Sequence, residues 1–135
     1  MTGYSGTPLA KKLGFKEGLR VRISGAPVNY LTLVSPLPQN VTISERISTA
    51  IDIWHFFTHS YSELESRLPA LMRAIEPDGV IWISWPKKSS GVPSSVTEDS
   101  IRKVALPIGL VDIKVCAVDE TWSGLKLVVR KELRK

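Results

Sequence analysis

An α/β domain is the fold class that the sequence predicts, and three patterns in the 135 residues indicate it. Apolar segments of strand length alternate with segments whose apolar residues recur at helical spacing, as they do in α/β proteins. The segment 80–85, VIWISW, is mostly apolar on both faces, which is typical of a strand buried between two layers of helices. Near the C-terminus, two apolar segments flank the turn-like residues 119–124 and predict an antiparallel hairpin.

Short elements are predicted for the N-terminal half of the chain. Residues 1–6 are expected to form a flexible tail, so that a single domain covers 7–135. Pro8 at the first helical position and Gly14 as the stop predict a helix over 8–13. Strands are predicted over 19–24, 41–45 and 50–57, with about two helical turns over 28–34.

A longer helix is predicted to follow the third strand. Ser60 and Glu63 have the spacing of a capping box at its start. Ser62 and Glu65 have the same spacing, so either pair is open as the cap. Apolar residues at helical spacing extend the pattern to Ile75, which is predicted to lie on the buried face of this helix.

Turn and cap signals divide the remainder of the chain. Residues 77–79, Pro-Asp-Gly, predict a turn before the strand 80–85, and 86–96 predict a loop rich in Ser, Gly and Pro. Thr97 is predicted to cap a second helix that ends near Gly109. The strands of the terminal hairpin are predicted over 110–118 and 125–131.

The composition limits the possible classes of protein. Hydrophobic residues make up 43% and charged residues 23% of the chain, which fits a globular domain and neither a disordered nor a fibrous class. The one cysteine, Cys116, excludes an internal disulfide, and no apolar run reaches the ~18 residues that a membrane-spanning helix needs. Because the N-terminus has no apolar signal-peptide segment, a cytoplasmic, reducing location is expected.

The net charge of +5 is concentrated at the two ends of the chain. Residues 1–25 carry five basic residues against one acidic residue, and 124–135 carry the same balance. A basic surface attracts nucleic acid by neutralising phosphates. No recognition motif accompanies these residues, so solvated chain ends are favoured and a nucleic-acid partner is not expected.

Several strings of residues resemble known families. Three of them resemble the hallmarks of a family of short bacterial proteins of unknown function: YSGTPLAKKLG, PDGVIWISWPKKSSGVPSS and KVCAVDETWSGLKLV. Three others resemble elements of S-adenosylmethionine-dependent methyltransferases: LGFKEGLRVRISGAP, AIDIWHFF and LPALMRAIEPDGVIWISWPK. The resemblances imply a truncated, methyltransferase-type, three-layer Rossmann-like sheet of about five to six strands that ends in a hairpin. They imply no established activity.

The first turn departs from the methyltransferase pattern. Enzymes of this fold use two or three glycines after the first strand, so that the backbone can approach the ligand. Here only Gly25 is present, followed by Ala26 and Pro27. Glu45, about twenty residues further on, stands where an acidic side chain could hold a ribose, and an exposed loop charge is the alternative. Residues 46–49 leave little length for a parallel crossover, so the second strand is expected to be short, irregular or antiparallel.

Ligands of open α/β sheets bind beyond the carboxyl ends of the strands, which identifies the candidate site. Lys87 and Lys88, followed by hydroxyls, are candidates for binding phosphate or carboxylate. A solvated loop, or pairing of these lysines with acidic residues of the hairpin turn, is the alternative. Trp85 and Trp122 could stack on a planar ligand or pack under loops. The candidate ligand-binding residues are Gly25, Ala26, Glu45, His59, Trp85, Lys87, Lys88, Ser89, Ser90, Asp119, Glu120 and Trp122.

No catalytic or metal-binding set emerges from the sequence. His55 and His59 lack a third ligand, no serine lies in a Gly-x-Ser-x-Gly turn, and Cys116 lies in an apolar strand. We therefore expect a non-catalytic or regulatory module that binds a small anion or a protein partner and needs no cofactor. An S-adenosylmethionine-dependent methyltransferase is the alternative, and a nucleic-acid accessory protein is a second alternative.

Overall fold

Six strands and four α-helices make up residues 7–134, the part of the chain that the computed structural model describes. The tail expected over residues 1–6 lies outside the described residues, as does Lys135. In chain order the elements are α1 (Leu9–Leu13), β1 (Arg20–Ser24), α2 (Tyr30–Leu33), β2 (Thr42–Ser44), β3 (Ile51–Phe57), α3 (Tyr61–Ala74), β4 (Ile75–Pro86), α4 (Glu98–Ile108), β5 (Leu110–Ala117) and β6 (Trp122–Val129), with 3-10 turns over Lys88–Ser90 and Lys131–Leu133.

These strands form one mixed sheet in the order β2-β1-β3-β4-β6-β5. The strands β2, β1, β3 and β4 are parallel neighbours, whereas β6 runs antiparallel to both β4 and β5. Helices cover both faces of the sheet and complete three layers. The structure therefore confirms the predicted three-layer Rossmann-like fold with a C-terminal antiparallel hairpin.

Side chains of the strands alternate between two buried faces. One face packs α3 and α4 against residues such as Phe56 and Ile83. The other packs α1 and α2 against residues such as Phe57 and Trp82. The indole N–H of Trp82 donates to the carbonyl oxygen of Leu13 at 3.0 Å, which ties α1 to the central strand. Apolar side chains therefore predominate on both faces of the central strands, as the VIWISW pattern predicts.

The second strand, β2, is three residues long and pairs parallel to β1, which settles the orientation that the sequence left open. The chain returns to β3 through residues 45–50, which cross β1 on the face shared with α3 and α4. Arg22 Nη1 donates to the Ile47 carbonyl at 2.9 Å, and Arg20 Nη2 donates to another carbonyl of this segment at 3.2 Å. The Arg22 guanidinium also lies 4.4 Å from the centroid of the Trp54 ring. A six-residue segment without a helix thus replaces the helix that a parallel crossover usually contains.

The prediction that Ile75 lies on the buried face of α3 is wrong, because Ile75 begins β4. The turn predicted over 77–79 also lies inside β4. Ile51 pairs with Ile75, and the next pair is Ile53 with Val80. Four residues of β4 therefore stand opposite a single residue of β3. A proline without an N–H is tolerated at such a bulge, so turn-forming residues here mark an irregularity within a strand.

The last strand, β6, was predicted to begin at residue 125, but it begins at Trp122. The tight turn before it explains the difference. Asp119 Oδ1 accepts hydrogen bonds from the main-chain N–H of Thr121 at 2.8 Å and of Trp122 at 2.7 Å. This arrangement closes the turn early and lets Trp122 pair with Pro86 at the end of β4.

The helices begin close to the caps that the sequence predicts. Ser60 caps α3, because its Oγ accepts from the Glu63 N–H at 3.2 Å. The Ser60 N–H donates to the Thr58 hydroxyl and not to Glu63, so this pair forms only half of the capping box that the sequence predicts. Thr97 and Ser100 form a capping box at the start of α4. The helix expected over 28–34 is shorter, with four residues in α2. Within the described range, none of the helices is long and apolar enough to cross a bilayer.

Candidate functional site

The carboxyl ends of β1, β2, β3 and β4 meet at one edge of the sheet because these strands are parallel neighbours. Gly25, Glu45 and Lys87 directly follow β1, β2 and β4. The turn between β5 and β6 reaches the same edge, since Trp122 pairs with Pro86. The candidate residues taken from the sequence are therefore distributed along this side of the sheet, which we call the carboxyl edge.

At the carboxyl edge, Gly25 packs against the protein's own backbone. Its φ of 68° lies in the left-handed region, and a Cβ at this position would stand 2.7 Å from the carbonyl oxygen of Phe57. A glycine is therefore needed for the exit of β1 to fit against the exit of β3. Ala26 follows and packs against the core on the side of α2. The space that the glycine leaves open is filled by the main chain of Phe57.

A buried polar network lies on the α2 side of the sheet. Tyr30 is 2% exposed, and its hydroxyl lies 2.8 Å from Nδ1 of His55, which is fully buried in β3. Nε2 of His55 lies 2.7 Å from the hydroxyl of Ser84 in β4. Burial lowers the pKa of His55 to about 3, so its imidazole is neutral. These hydrogen bonds join α2, β3 and β4, and the groups that form them are closed to solvent.

Aromatic rings surround the buried histidine. The Phe57 ring stacks on His55 with 4.2 Å between centroids, and Trp122 meets Phe57 edge-on at 5.1 Å. Trp122, a candidate for stacking on a ligand, is thus part of this aromatic cluster. Trp85 is 8% exposed and packs beneath α3 and α4, although it also contributes to the wall of a cavity of about 320 Å³ beside Lys88.

Lys87 is held by the hairpin turn. Its ammonium group donates to the main-chain oxygen of Asp119 at 2.7 Å, and its main-chain N–H donates to the same turn at 2.7 Å. The Ser90 hydroxyl donates to the Lys87 carbonyl at 2.6 Å. The carboxylate of Asp119 binds turn amides, so Lys87 meets the carbonyl of this residue and not its side chain. Lys88 and Ser89 are exposed.

The remaining candidates lie at the surface. Glu45 follows β2, His59 directly precedes the cap of α3, and Glu120 lies in the hairpin turn; all three are exposed. β2 and β5 are the outermost strands of the sheet, about 24 Å apart at ~4.8 Å per strand. Glu45 and Glu120 therefore belong to opposite ends of the carboxyl edge and cannot form one compact site.

A second charged region lies near the amino ends of the parallel strands, and sequence reasoning did not identify it as a site. Lys114 on β5 and Lys126 on β6 are direct cross-strand partners there. They line a cleft of about 460 Å³ together with lysines of α1 and of the turn after it. We call this region the lysine cleft; its charged lining residues are Lys11, Lys12, Lys16, Lys114, Lys126, Asp52 and Asp78.

Cys116 lies next to this region and is partly buried. Burial raises the pKa of its thiol, while the nearby charges of Lys12 and Lys114 act in the opposite direction. Across residues 7–134, no group of three or more His, Cys, Asp or Glu side chains is arranged to hold a metal ion.

The fold places the chain among proteins built like methyltransferases. It is similar to an S-adenosylmethionine-dependent methyltransferase from Aquifex aeolicus, with a TM-score of 0.63 and 17% identity, covering 90% of this chain and 88% of that one. It is also similar to an S-adenosylmethionine-dependent O-methyltransferase from Thermotoga maritima, with a TM-score of 0.60 and 11% identity, covering 91% of this chain and 64% of that one. The similarity to TrmN from Thermus thermophilus has a TM-score of 0.56 and 10% identity, covering 90% of this chain and 47% of TrmN. At these identities the similarity establishes the fold alone.

Residues 43–131 match the family described as protein of unknown function, DUF3052, and the chain belongs to this family. A search of curated proteins gave no match. The family and the fold together confirm the two resemblances that the sequence strings indicated.

Proposed function

We propose that this protein is a non-catalytic binding module that keeps a methyltransferase-like scaffold without a site for S-adenosylmethionine. The close approach of Gly25 to the Phe57 carbonyl carries the proposal. In nucleotide-binding sheets, the glycine-rich turn leaves main chain open to the ligand. In this protein, a Cβ placed on this glycine would stand 2.7 Å from the carbonyl oxygen of Phe57, so the main chain at the end of β3 occupies the open side of the glycine in place of a nucleoside.

The segment after this turn supports the same conclusion. Pro27 has no N–H to donate, and α2 has only four residues, too few to build the dipole that attracts an anion at a longer helix. Tyr30, the first residue of α2, directs its side chain into the core and binds His55. The residues present at the exit of β1 therefore do not fit the cofactor that the fold implies.

The positive charge of the chain favours a small anion as the ligand of this module. The net charge is +5, and five lysines line one cleft of about 460 Å³. Cavities of roughly 300–1,000 Å³ are of the size that holds small molecules.

An S-adenosylmethionine-dependent methyltransferase is the second candidate, and the position of Glu45 favours it. Arg22 of β1 pairs with Ser44 of β2, which places Glu45 beside the exit of β1. An acidic side chain at the end of this strand is where folds of this type hold a ribose. Glu45 is exposed and therefore accessible to a ligand.

Calorimetric titration with S-adenosylmethionine and with S-adenosylhomocysteine decides between the two candidates. The proposal predicts no saturable binding in the micromolar range. Saturable binding that is lost in Glu45→Ala and kept in Glu17→Ala would overturn it. Glu17 is the matched control because it is an exposed glutamate in the turn before β1, away from the carboxyl edge.

A further inference from the structure

We propose that the lysine cleft binds a compact polyphosphate, such as the diphosphate or triphosphate group of a small molecule. The five ammonium groups of the cleft come from three separate parts of the chain: α1 with its following turn, β5 and β6. Two carboxylates share the lining, so positive charge prevails. This inference rests on the proposed function and names its site and its ligand class.

The pairing of Lys114 with Lys126 is the strongest support. The register places these two residues directly opposite each other on β5 and β6, and like charges in such positions destabilise an antiparallel pair. Neither lysine forms an ion pair with a carboxylate of residues 7–134. Burial, together with the charges of Lys114 and Lys16, lowers the pKa of Lys126. A multiply charged anion would neutralise this repulsion.

The shape and lining of the cleft favour a compact ligand over nucleic acid. A duplex presents a continuous row of phosphates and is met by an extended basic stripe. The lysine cleft is a concave region of about 460 Å³, and its wall includes the carboxylates of Asp52 and Asp78. Asp52 is fixed in place because its Oδ2 accepts a hydrogen bond from the main-chain N–H of Arg20 at 2.9 Å. A continuous phosphate backbone would have to pass these carboxylates, whereas a compact anion can bind at the lysines alone.

Calorimetric titration of the 135-residue protein with inorganic tripolyphosphate tests the inference. We expect saturable binding at a single site in the micromolar range. The double variant Lys114→Gln/Lys126→Gln should weaken this binding by about tenfold or more. Lys103→Gln/Lys131→Gln removes the same charge from exposed positions outside the cleft and should bind as the unmodified protein does. Without ligand, the cleft variant should be at least as resistant to denaturant as the unmodified protein, since the repulsion is relieved.

Three results would overturn the inference. The first is absence of saturable binding, or equal weakening in the two double variants. The second is a cleft variant that unfolds earlier than the unmodified protein, which would give the lysine pair a structural role. The third is binding of a short duplex DNA that is tighter than the binding of tripolyphosphate and is weakened in the cleft variant, which would make nucleic acid the ligand of the cleft. Titration with S-adenosylmethionine is a separate test, because binding of this cofactor would contradict the proposed function. If only tripolyphosphate fails to bind, the polyphosphate site is ruled out and the proposed function is not.

Discussion

Tyr30 and His55 form a hydrogen bond in the protein core, with 2.8 Å between the tyrosine hydroxyl and Nδ1 of the imidazole. The other ring nitrogen of His55 lies 2.7 Å from the hydroxyl of Ser84. A neutral imidazole has one donor and one acceptor nitrogen, and a hydroxyl can serve either. Both nitrogens are therefore satisfied although the ring has no access to water. The network connects α2 to two central strands, so it stabilises the region that adjoins the carboxyl edge.

The stability of the protein is expected to fall as the pH decreases from 7 to 5. Burial lowers the pKa of His55 to about 3 in the folded protein, whereas the unfolded chain keeps about 6.5. Between these values the unfolded state binds the additional proton, so the free energy of unfolding decreases with decreasing pH. The loss from His55 is about 2 kcal/mol between about pH 7 and 5. Chemical denaturation at several pH values measures it.

The two histidines of the chain provide a matched control for this pH dependence. His59 is exposed, so His59→Gln should keep the dependence. His55→Gln should remove most of it and lower the stability at neutral pH, because glutamine cannot reproduce both hydrogen bonds. An unchanged slope in His55→Gln between pH 5 and 7 would contradict the assignment of the proton to this residue.

Removal of either hydroxyl from the network is expected to destabilise the protein. Tyr30→Phe keeps the ring but leaves Nδ1 of His55 without a partner, and Ser84→Ala does the same to Nε2. Each change should lower the free energy of unfolding by about 1–3 kcal/mol. Since both hydroxyls bind one imidazole, the double variant should differ from the sum of the single variants by about 0.5 kcal/mol or more. Equilibrium unfolding of the four proteins tests this, and strictly additive losses would argue against a shared network.

The fold was predictable where its signals are local. The apolar segments that became β3 and β4, and the caps at Ser60 and Thr97, depend on residues close together in the chain. The start of β4 was not predictable in this way, because Ile75 fits the helical spacing of α3 equally well. Its pairing with Ile51 of the neighbouring strand decides its conformation, and a partner strand is not visible in a local pattern.

Gly25→Ala is expected to destabilise the protein more than Gly18→Ala does. Both glycines have positive φ, 68° and 80°, so both substitutions carry a backbone strain of about 1 kcal/mol. A Cβ at Gly18 would meet nothing within 4 Å, whereas at Gly25 it would stand 2.7 Å from the Phe57 carbonyl. The additional contact should cost a further 1–2 kcal/mol, roughly. Denaturant unfolding measures the difference, and equal losses would show that the exit of β1 is looser than the proposed function requires.

The candidate sites differ in how far the sequence reveals them. Gly25, Glu45 and Lys87 could be placed at the carboxyl edge from the sequence because each of them directly follows a strand. The lysine cleft could not be predicted, because its members lie far apart in the chain and are brought together by the packing of α1 on the sheet and by the register of β5 and β6. That register shifts between Asp112 and Lys114, and it also depends on the early start of β6 at Trp122. The sequence therefore indicated charged chain ends, whereas the fold brings part of that charge together with Lys114.

Lys87→Met is expected to lower the free energy of unfolding by about 1–2 kcal/mol, whereas Lys88→Met should change it by less than about 0.5 kcal/mol. The Lys87 ammonium donates to the Asp119 carbonyl at 2.7 Å and joins the end of β4 to the hairpin turn, while Lys88 is exposed. Methionine keeps the apolar stem of lysine, so the loss reports the missing donor. Denaturant midpoints measured at equal slope give the difference. Equal stability of the two variants would show that Lys87 is as free as Lys88 and available, with it, to bind an anion at the carboxyl edge.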